Sequence, residues 1–175
     1  MKLEIVARAS PPPPADAADA VVAGLYREHR LALVRLALLL VGDRESAEDV
    51  VQDVFSRLHG KSPATLTLPY VRVCVLNASR SLLRRRSVAA RAILRRRDDP
   101  VDSAETIALL GESRQEMLAA LGRLPRRQRE VLVLRYYLDL SDADIAEATR
   151  LRQSTVRSTA SRALERLERE LGGRA

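Results

Sequence analysis

The chain has 175 residues, with 30 Lys and Arg against 23 Asp and Glu and a formal net charge of +7, and its sequence pI is about 10.4. Cys74 stands alone, and His29 and His59 are the two histidines, so an internal disulfide and a zinc site of the usual ligand spacing are both excluded. The longest apolar run, roughly Leu36–Val41, is far too short to cross a bilayer, and no charged-then-apolar signal pattern opens the chain, which together with the lone cysteine points to a reducing cytoplasm.

That length allows one domain or two small ones. Among the basic residues only Lys2 and Lys61 are lysine; the rest are arginine. Arginine's planar fork of donors suits phosphate and guanine edges, so nucleic acid is the first candidate partner of so basic a chain. GC-rich coding also favours arginine over lysine, but it does not explain where the arginines cluster.

Helical periodicity dominates, strand-like alternation is absent, and the sequence reads as all-α. Residues 1–19, with the run "SPPPPADAADA" at 10–20, read as a disordered leader. Leu25, His29, Leu33, Leu36 and Leu40 recur at three- and four-residue steps and predict a first helix from about Ala20 to Val41. Gly42 is placed to end it and Asp43 to cap a second helix. There Ala47, Val50, Val51, Val54, Phe55 and Leu58 form an apolar stripe, opposite Glu45, Glu48, Asp49, Gln52 and Asp53.

Residues 59–69 read as a loop by their Gly, Pro, Ser and Thr content, and Pro69 suits the first turn of a third helix. Tyr70, Val71, Cys74, Val75, Ala78 and Leu82 give that helix a buried side, with an end expected near Ser87. An arginine run follows at 80, 84–86, 91 and 95–97, suited to nonspecific phosphate binding or to a solvated basic linker. The acidic "DDPVDSAE" at 98–105, broken by Pro100, marks a domain boundary. A second helical block starts near Ser113, with Met117, Leu118 and Leu121 facing inward, and Pro125 separates it from the segment 126–140. Ser141 with Asp144 resembles a capping box before a short helix at 142–149 and a last helix from about Ser154 to Leu171.

The final pair has helix-turn-helix proportions. Ile145, Val156, Ala160, Leu164, Leu167 and Leu171 pack inward in this reading. Gln153, Ser154, Thr155, Arg157, Ser158, Thr159 and Arg162 face out near the start of the second helix, where such a helix enters a DNA major groove.

At this point a resemblance is plain. Leu124-Pro125, Arg129, Val131, Leu134-Arg135, Ile145-Ala146, Thr155-Val156-Arg157-Ser158 and Arg162-Ala163-Leu164 resemble region 4 of bacterial sigma factors, the part that reads the promoter −35 element. Asp49, Gln52, Asp53 and Phe55 resemble the polymerase-docking helix of sigma region 2. "LPYVRVCVLNASRSLLRRR" resembles the promoter-facing helix that follows it, with Asn77 at the family's usual Asn. Two such blocks with no room for a region 3 between them resemble the extracytoplasmic-function type.

The resemblance implies two small helical domains joined by a flexible linker: a region 2-like domain at 20–90, a linker at 91–112 and a region 4-like domain at 113–175. It implies that Asp49, Gln52, Asp53 and Phe55 meet the β′ clamp of core RNA polymerase, and that region 4 meets the β flap. His59, Lys61, Ser62, Thr65, Tyr70, Arg72, Asn77, Arg80 and Arg84 would meet the −10 element, with loop residues walling a pocket for an unstacked base. Gln153, Ser154, Thr155, Arg157, Ser158, Thr159 and Arg162 would meet the −35 element. An anti-sigma factor is a further candidate partner; no cofactor, metal or covalent chemistry is implied. The chain departs from the family at Arg150, where Gly is frequent, so that either Arg150 adopts a left-handed backbone or the turn differs. It departs again at Thr159, where Arg is frequent. The alternative is a helix-turn-helix regulator that does not bind core polymerase.

A promoter spacer of about 17 base pairs spans roughly 58 Å at 3.4 Å per step. The stretch 87–112 reaches about 85 Å when extended, enough for both units to sit on DNA together.

Overall fold

The computed structural model describes residues 15–94 and 112–172, and among them every regular element is helical. The leader before Ala15, the arginines at 95–97 and the acidic run at 98–105 lie outside the described residues, as does the Arg91 side chain.

Helix α1 spans Ala15–Val41. It begins about five residues earlier than periodicity alone predicts, directly after the proline run. Ala-rich sequence propagates a helix readily, and Ala18 and Val22 are buried. Gly42 closes α1 with φ +95°, its N–H donating to the Leu38 carbonyl at 2.9 Å.

Asp43 then caps α2, Arg44–Leu58, its carboxylate accepting from the Ser46 N–H at 2.8 Å. Arg86 donates to the other Asp43 oxygen at 2.9 Å and also to the Ser46 hydroxyl. Burial raises the Asp43 pKa, but the hydrogen bonds from Ser46 and the charge of Arg86 outweigh it and hold the carboxyl below its ordinary value. Its stabilisation is therefore complete above the ordinary aspartate range and lost as pH falls through the lower folded value. Asp43→Ala should lower stability by about 1 kcal/mol at neutral pH, read by urea denaturation, with the difference from wild type shrinking in acid.

A short 3₁₀ turn, Pro63–Thr65, leads into α3, Leu68–Leu94. That helix runs about seven residues past the expected end near Ser87, because arginine and alanine are good helix formers and nothing in 87–94 breaks them. Leu33, Leu36, Val51, Leu58, Val71 and Val75 are fully buried between α1, α2 and α3, each such side chain contributing about 1.5–3 kcal/mol.

The second unit comprises α4 (Glu112–Arg123), α5 (Arg126–Leu132), α6 (Asp142–Thr149) and α7 (Gln153–Gly172). Leu121 and Leu124 of this unit are buried as an inward face requires, but Met117 is 39% exposed and Ala120 takes its place. Likewise Leu171, expected inward, is exposed at the end of α7, while Ala163 is buried. After α5 the helix widens into a π turn at Val133–Tyr137. The Leu138 N–H then reaches the Val133 carbonyl at 3.3 Å, and Val133 and Leu134 are both turned into the core.

Ser141 and Asp144 form the expected reciprocal capping box on α6. Arg150 adopts φ 56°, ψ 37°, so it carries the left-handed conformation itself. Its N–H donates to the Glu147 carbonyl at 3.3 Å and the Leu151 N–H to the Ala146 carbonyl at 3.0 Å, the paired bonds of a Schellman closure. Arg150→Gly should therefore raise stability by about 1 kcal/mol, seen as a higher urea midpoint.

The two units touch. One apolar cluster joins Leu33, Leu36 and Leu40 of α1 to Val131, Val133, Leu134 and Ile145 of the second unit. Arg129 donates to the Leu40 carbonyl at 2.9 Å and Tyr137 to the Ala32 carbonyl at 2.9 Å. Arg80 of α3 donates to Glu130 and to the Ala148 carbonyl, the latter at 3.0 Å.

Candidate nucleic-acid interface

Helix α7 presents a polar face built by its own periodicity. Val156, Ala160 and Ala163 are buried, which rotates Gln153, Ser154, Arg157, Ser158 and Arg162 outward and leaves Thr155 half-buried. Thr159 was expected outward as well, but it is 7% exposed. Its position three residues after Val156 and four before Ala163 puts it on the packed stripe, so it offers no groove contact.

Arg157 is not loose. Its Nε donates to one Asp142 oxygen at 3.0 Å, and Arg135 donates to the other. Asp142 thus fixes the stem of Arg157 at the mouth of the motif, and among the described residues it engages only the Nε. Arg162 folds back, its Nε donating to the Ser158 carbonyl at 3.0 Å. A helix N-terminus carrying amide, hydroxyl and guanidinium groups can bind phosphate and read base edges. Asp142 itself gave no signal in the sequence beyond its place in the first turn of α6.

Helix α2 shows the acidic face that its pattern predicts. Asp49, Gln52 and Asp53 are exposed, with Arg57 ion-paired to Asp53 at 2.8 Å. Phe55 is the exception: it is 5% exposed and meets the Tyr26 ring edge-on, centroids 5.0 Å apart and planes at 82°. It lies beside Val54 and one turn after Val51, on the buried stripe, so its direct part in a docking surface is withdrawn.

Between α2 and α3 lies an open groove of about 970 Å³. Asp49, Asp53 and Arg57 of α2 line it, with Asn77 and Arg84 of α3 and Lys61 of the loop between them. His59, Ser62 and Thr65 are exposed on the adjoining loop. His59 shares a 2.9 Å hydrogen bond with Asp19, and the Thr65 hydroxyl donates to the Ser62 carbonyl at 2.8 Å. Tyr70 is half-buried against the core. Arg72 is half-buried too, and its charge is felt by Tyr137.

Asn77 accepts from Arg80 at 3.2 Å. Arg80 had been expected to face DNA; instead Glu130, 5% exposed, neutralises it. Within the arginine run Arg84, Arg85 and Arg86 are all exposed, and Arg86 also braces the α2 cap through Asp43 and Ser46.

Residues 25–88 match the family described as Sigma-70 region 2, and residues 114–167 that described as Sigma-70, region 4. The RNA polymerase sigma-E factor of Streptomyces coelicolor is 30% identical over 152 residues, covering 85% of this chain and 84% of that protein. The ECF RNA polymerase sigma factor SigL of Mycobacterium tuberculosis is 32% identical over 168 residues, covering 90% and 94%. Two solved structures share the fold. The sigma factor RpoE from Bartonella quintana, crystallised with the anti-sigma factor NepR, superposes with a TM-score of 0.64 at 23% identity, covering 87% of this chain and 99% of that one. CnrH, in complex with the cytosolic domain of CnrY, gives 0.60 at 23% identity, covering 92% and 98%.

Proposed function

The chain belongs to the sigma-70 family, as a sigma factor of the extracytoplasmic-function type that binds core RNA polymerase and directs initiation at chosen promoters, and from that premise we propose which of its surfaces does what. The exposed acidic-polar face of α2, with Asp49, Gln52 and Asp53, docks on the β′ clamp of core RNA polymerase, and the second unit approaches the β flap. The loop residues His59, Lys61, Ser62 and Thr65, with Tyr70, Arg72, Asn77 and Arg84 of α3, meet the −10 element. Gln153, Ser154, Thr155, Arg157, Ser158 and Arg162 of α7 meet the −35 element. The chain performs no covalent chemistry and acts in the cytoplasm beside the polymerase. An anti-sigma factor is a partner of the class named for RpoE.

The single observation that carries this assignment is the α7 face. Small polar side chains and two arginines stand clear of the core on the longer helix of a capped helix-turn-helix, in a chain that also carries an exposed acidic helix for a protein partner. Each bidentate arginine–guanine pair adds about 1–3 kcal/mol of discrimination. Among the described residues no helix is long and apolar enough to cross a membrane.

The test is co-elution with core polymerase followed by runoff transcription from genomic fragments. Binding to core with new start sites supports the assignment. DNA binding without core binding would instead identify a plain helix-turn-helix regulator.

A further inference from the structure

Arg135 lies on the π turn, outside the polar face of α7, and is half-buried. It donates through Nη2 to one oxygen of Asp142, the first residue of α6. The other Asp142 oxygen accepts from the Nε of Arg157, on α7, at 3.0 Å. A single carboxylate therefore ties the π turn, α6 and α7 together at the DNA-reading end of the motif. We propose that Asp142, backed by Arg135, is a positioning residue that sets Arg157 to read a guanine of the −35 element and keeps it off the phosphates.

The inference rests on the assignment of α7 to the −35 element and narrows it to one arginine and one base. An arginine beside DNA has two competing fates. Half to two-thirds of protein–DNA hydrogen bonds go to phosphate and sugar, which carry no base information. A guanidinium with no counter-charge of its own swings to the nearest phosphate. Arg157 has a counter-charge, and it is applied at the stem. Asp142 takes the Nε–H, and among the described residues both Nη groups are left for DNA. An end-on contact to guanine O6 and N7 draws on those Nη groups, so the grip on Nε spares the donors that guanine uses.

The anchor is sheltered while the reading tip is not. The side chains of Asp142 and Arg135 are 21% and 25% exposed, against 66% for Arg157, so salt screens the Arg135–Asp142 pair less than the tip. Asp142 also stands in the first turn of α6, where the helix dipole favours an anion. Arg162, the other exposed arginine of this face, bonds only Ser158 among the described residues and has no carboxylate on it. Asp142 brings a negative charge to a surface that meets DNA, which opposes binding to every sequence alike. Its contribution is to selectivity, not to affinity.

The experiment is initiation by the full chain with core polymerase on a promoter library randomised over the −35 element, with transcripts counted by sequencing. The wild-type chain should prefer guanine at one base pair, and Arg157→Ala should flatten that preference. Asp142→Asn, which keeps the shape and removes the charge, should flatten the same base pair by roughly tenfold and leave the others unchanged. Arg135→Gln should flatten it too, to a smaller extent. Asp142→Asn combined with Arg157→Ala should go no further than Arg157→Ala alone, because the two residues act through one contact. Replacing the guanine by 7-deazaguanine, which lacks N7, should cost the wild-type chain roughly tenfold and the Asp142→Asn chain little. An Asp142→Asn profile that matches wild type overturns the positioning role. So does a uniform loss at all promoters with the profile intact, or flattening at a base pair that Arg157→Ala leaves alone. A preferred base other than guanine at the Arg157 position overturns the guanine assignment. If Arg157→Ala alters no base pair, the −35 assignment of Arg157 beneath the proposal falls instead.

Discussion

Alanine at both Arg157 and Arg162 is expected to weaken binding of the −35 duplex on the order of a hundredfold or more while leaving the fold intact. Both side chains are exposed on α7, and neither belongs to the buried stripe of Val156, Ala160 and Ala163. The single variants should differ in kind. Arg157 is steadied by Asp142, which limits its rotamer freedom and suits it to a base edge; its loss should relax sequence preference at one position. Arg162 folds back along its own helix, as a phosphate contact does from a flexible stem. Its loss should weaken all sequences about equally and reduce the log–log salt slope by about 0.9. Fluorescence anisotropy on a set of −35 variants, repeated across salt concentrations, distinguishes the two roles. An unchanged affinity in the double variant would remove α7 from the DNA surface.

Phe55→Ala is expected to abolish polymerase binding by unfolding the first unit, not by deleting a contact. The ring is 5% exposed and edge-on to Tyr26. Truncating a buried phenylalanine removes about 3–5 kcal/mol, a large share of the roughly 5–15 kcal/mol that holds a domain together. Phe55→Leu keeps most of the volume and should lower stability by about 1–1.5 kcal/mol while polymerase binding persists. Thermal unfolding beside co-elution separates the mechanisms. A folded Phe55→Ala chain that fails to bind would restore the direct contact.

These two predictions show where the sequence was informative. The caps at Asp43 and Ser141, the helix-turn-helix spacing and the acidic face of α2 all rest on local chemistry within a turn or two, and the structure carries them where the pattern places them. Thr159 was misplaced because residue type and motif membership suggested contact, while its position three residues after Val156 and four before Ala163 dictated burial. Phe55 was already on the apolar stripe by its spacing, and only the family resemblance had given it a docking role. Leu171 erred in the opposite sense, because an apolar residue near a helix end has little to pack against; Met117, midway along α4, is exposed because the packed side of that helix runs through Ala120 and Leu121 instead. The contact between the units was not legible at all. Arg80 and Glu130 are 50 positions apart, and Arg129 and Leu40 are 89 apart. No local pattern records which arginine among many meets a distant carboxylate.

The extra turns of α3 alter the tether in a way that promoter libraries can measure. With the rod continuing to Leu94, residues 95–111 are left to bridge the units, and even fully extended they span at most about 60 Å. So short a strap leaves little slack against an inter-element gap of comparable size. Tolerance for spacer length should accordingly be narrow: promoters lengthened by a few base pairs should lose activity steeply, and inserting a short Gly-Ser stretch into 95–111 should broaden the optimum.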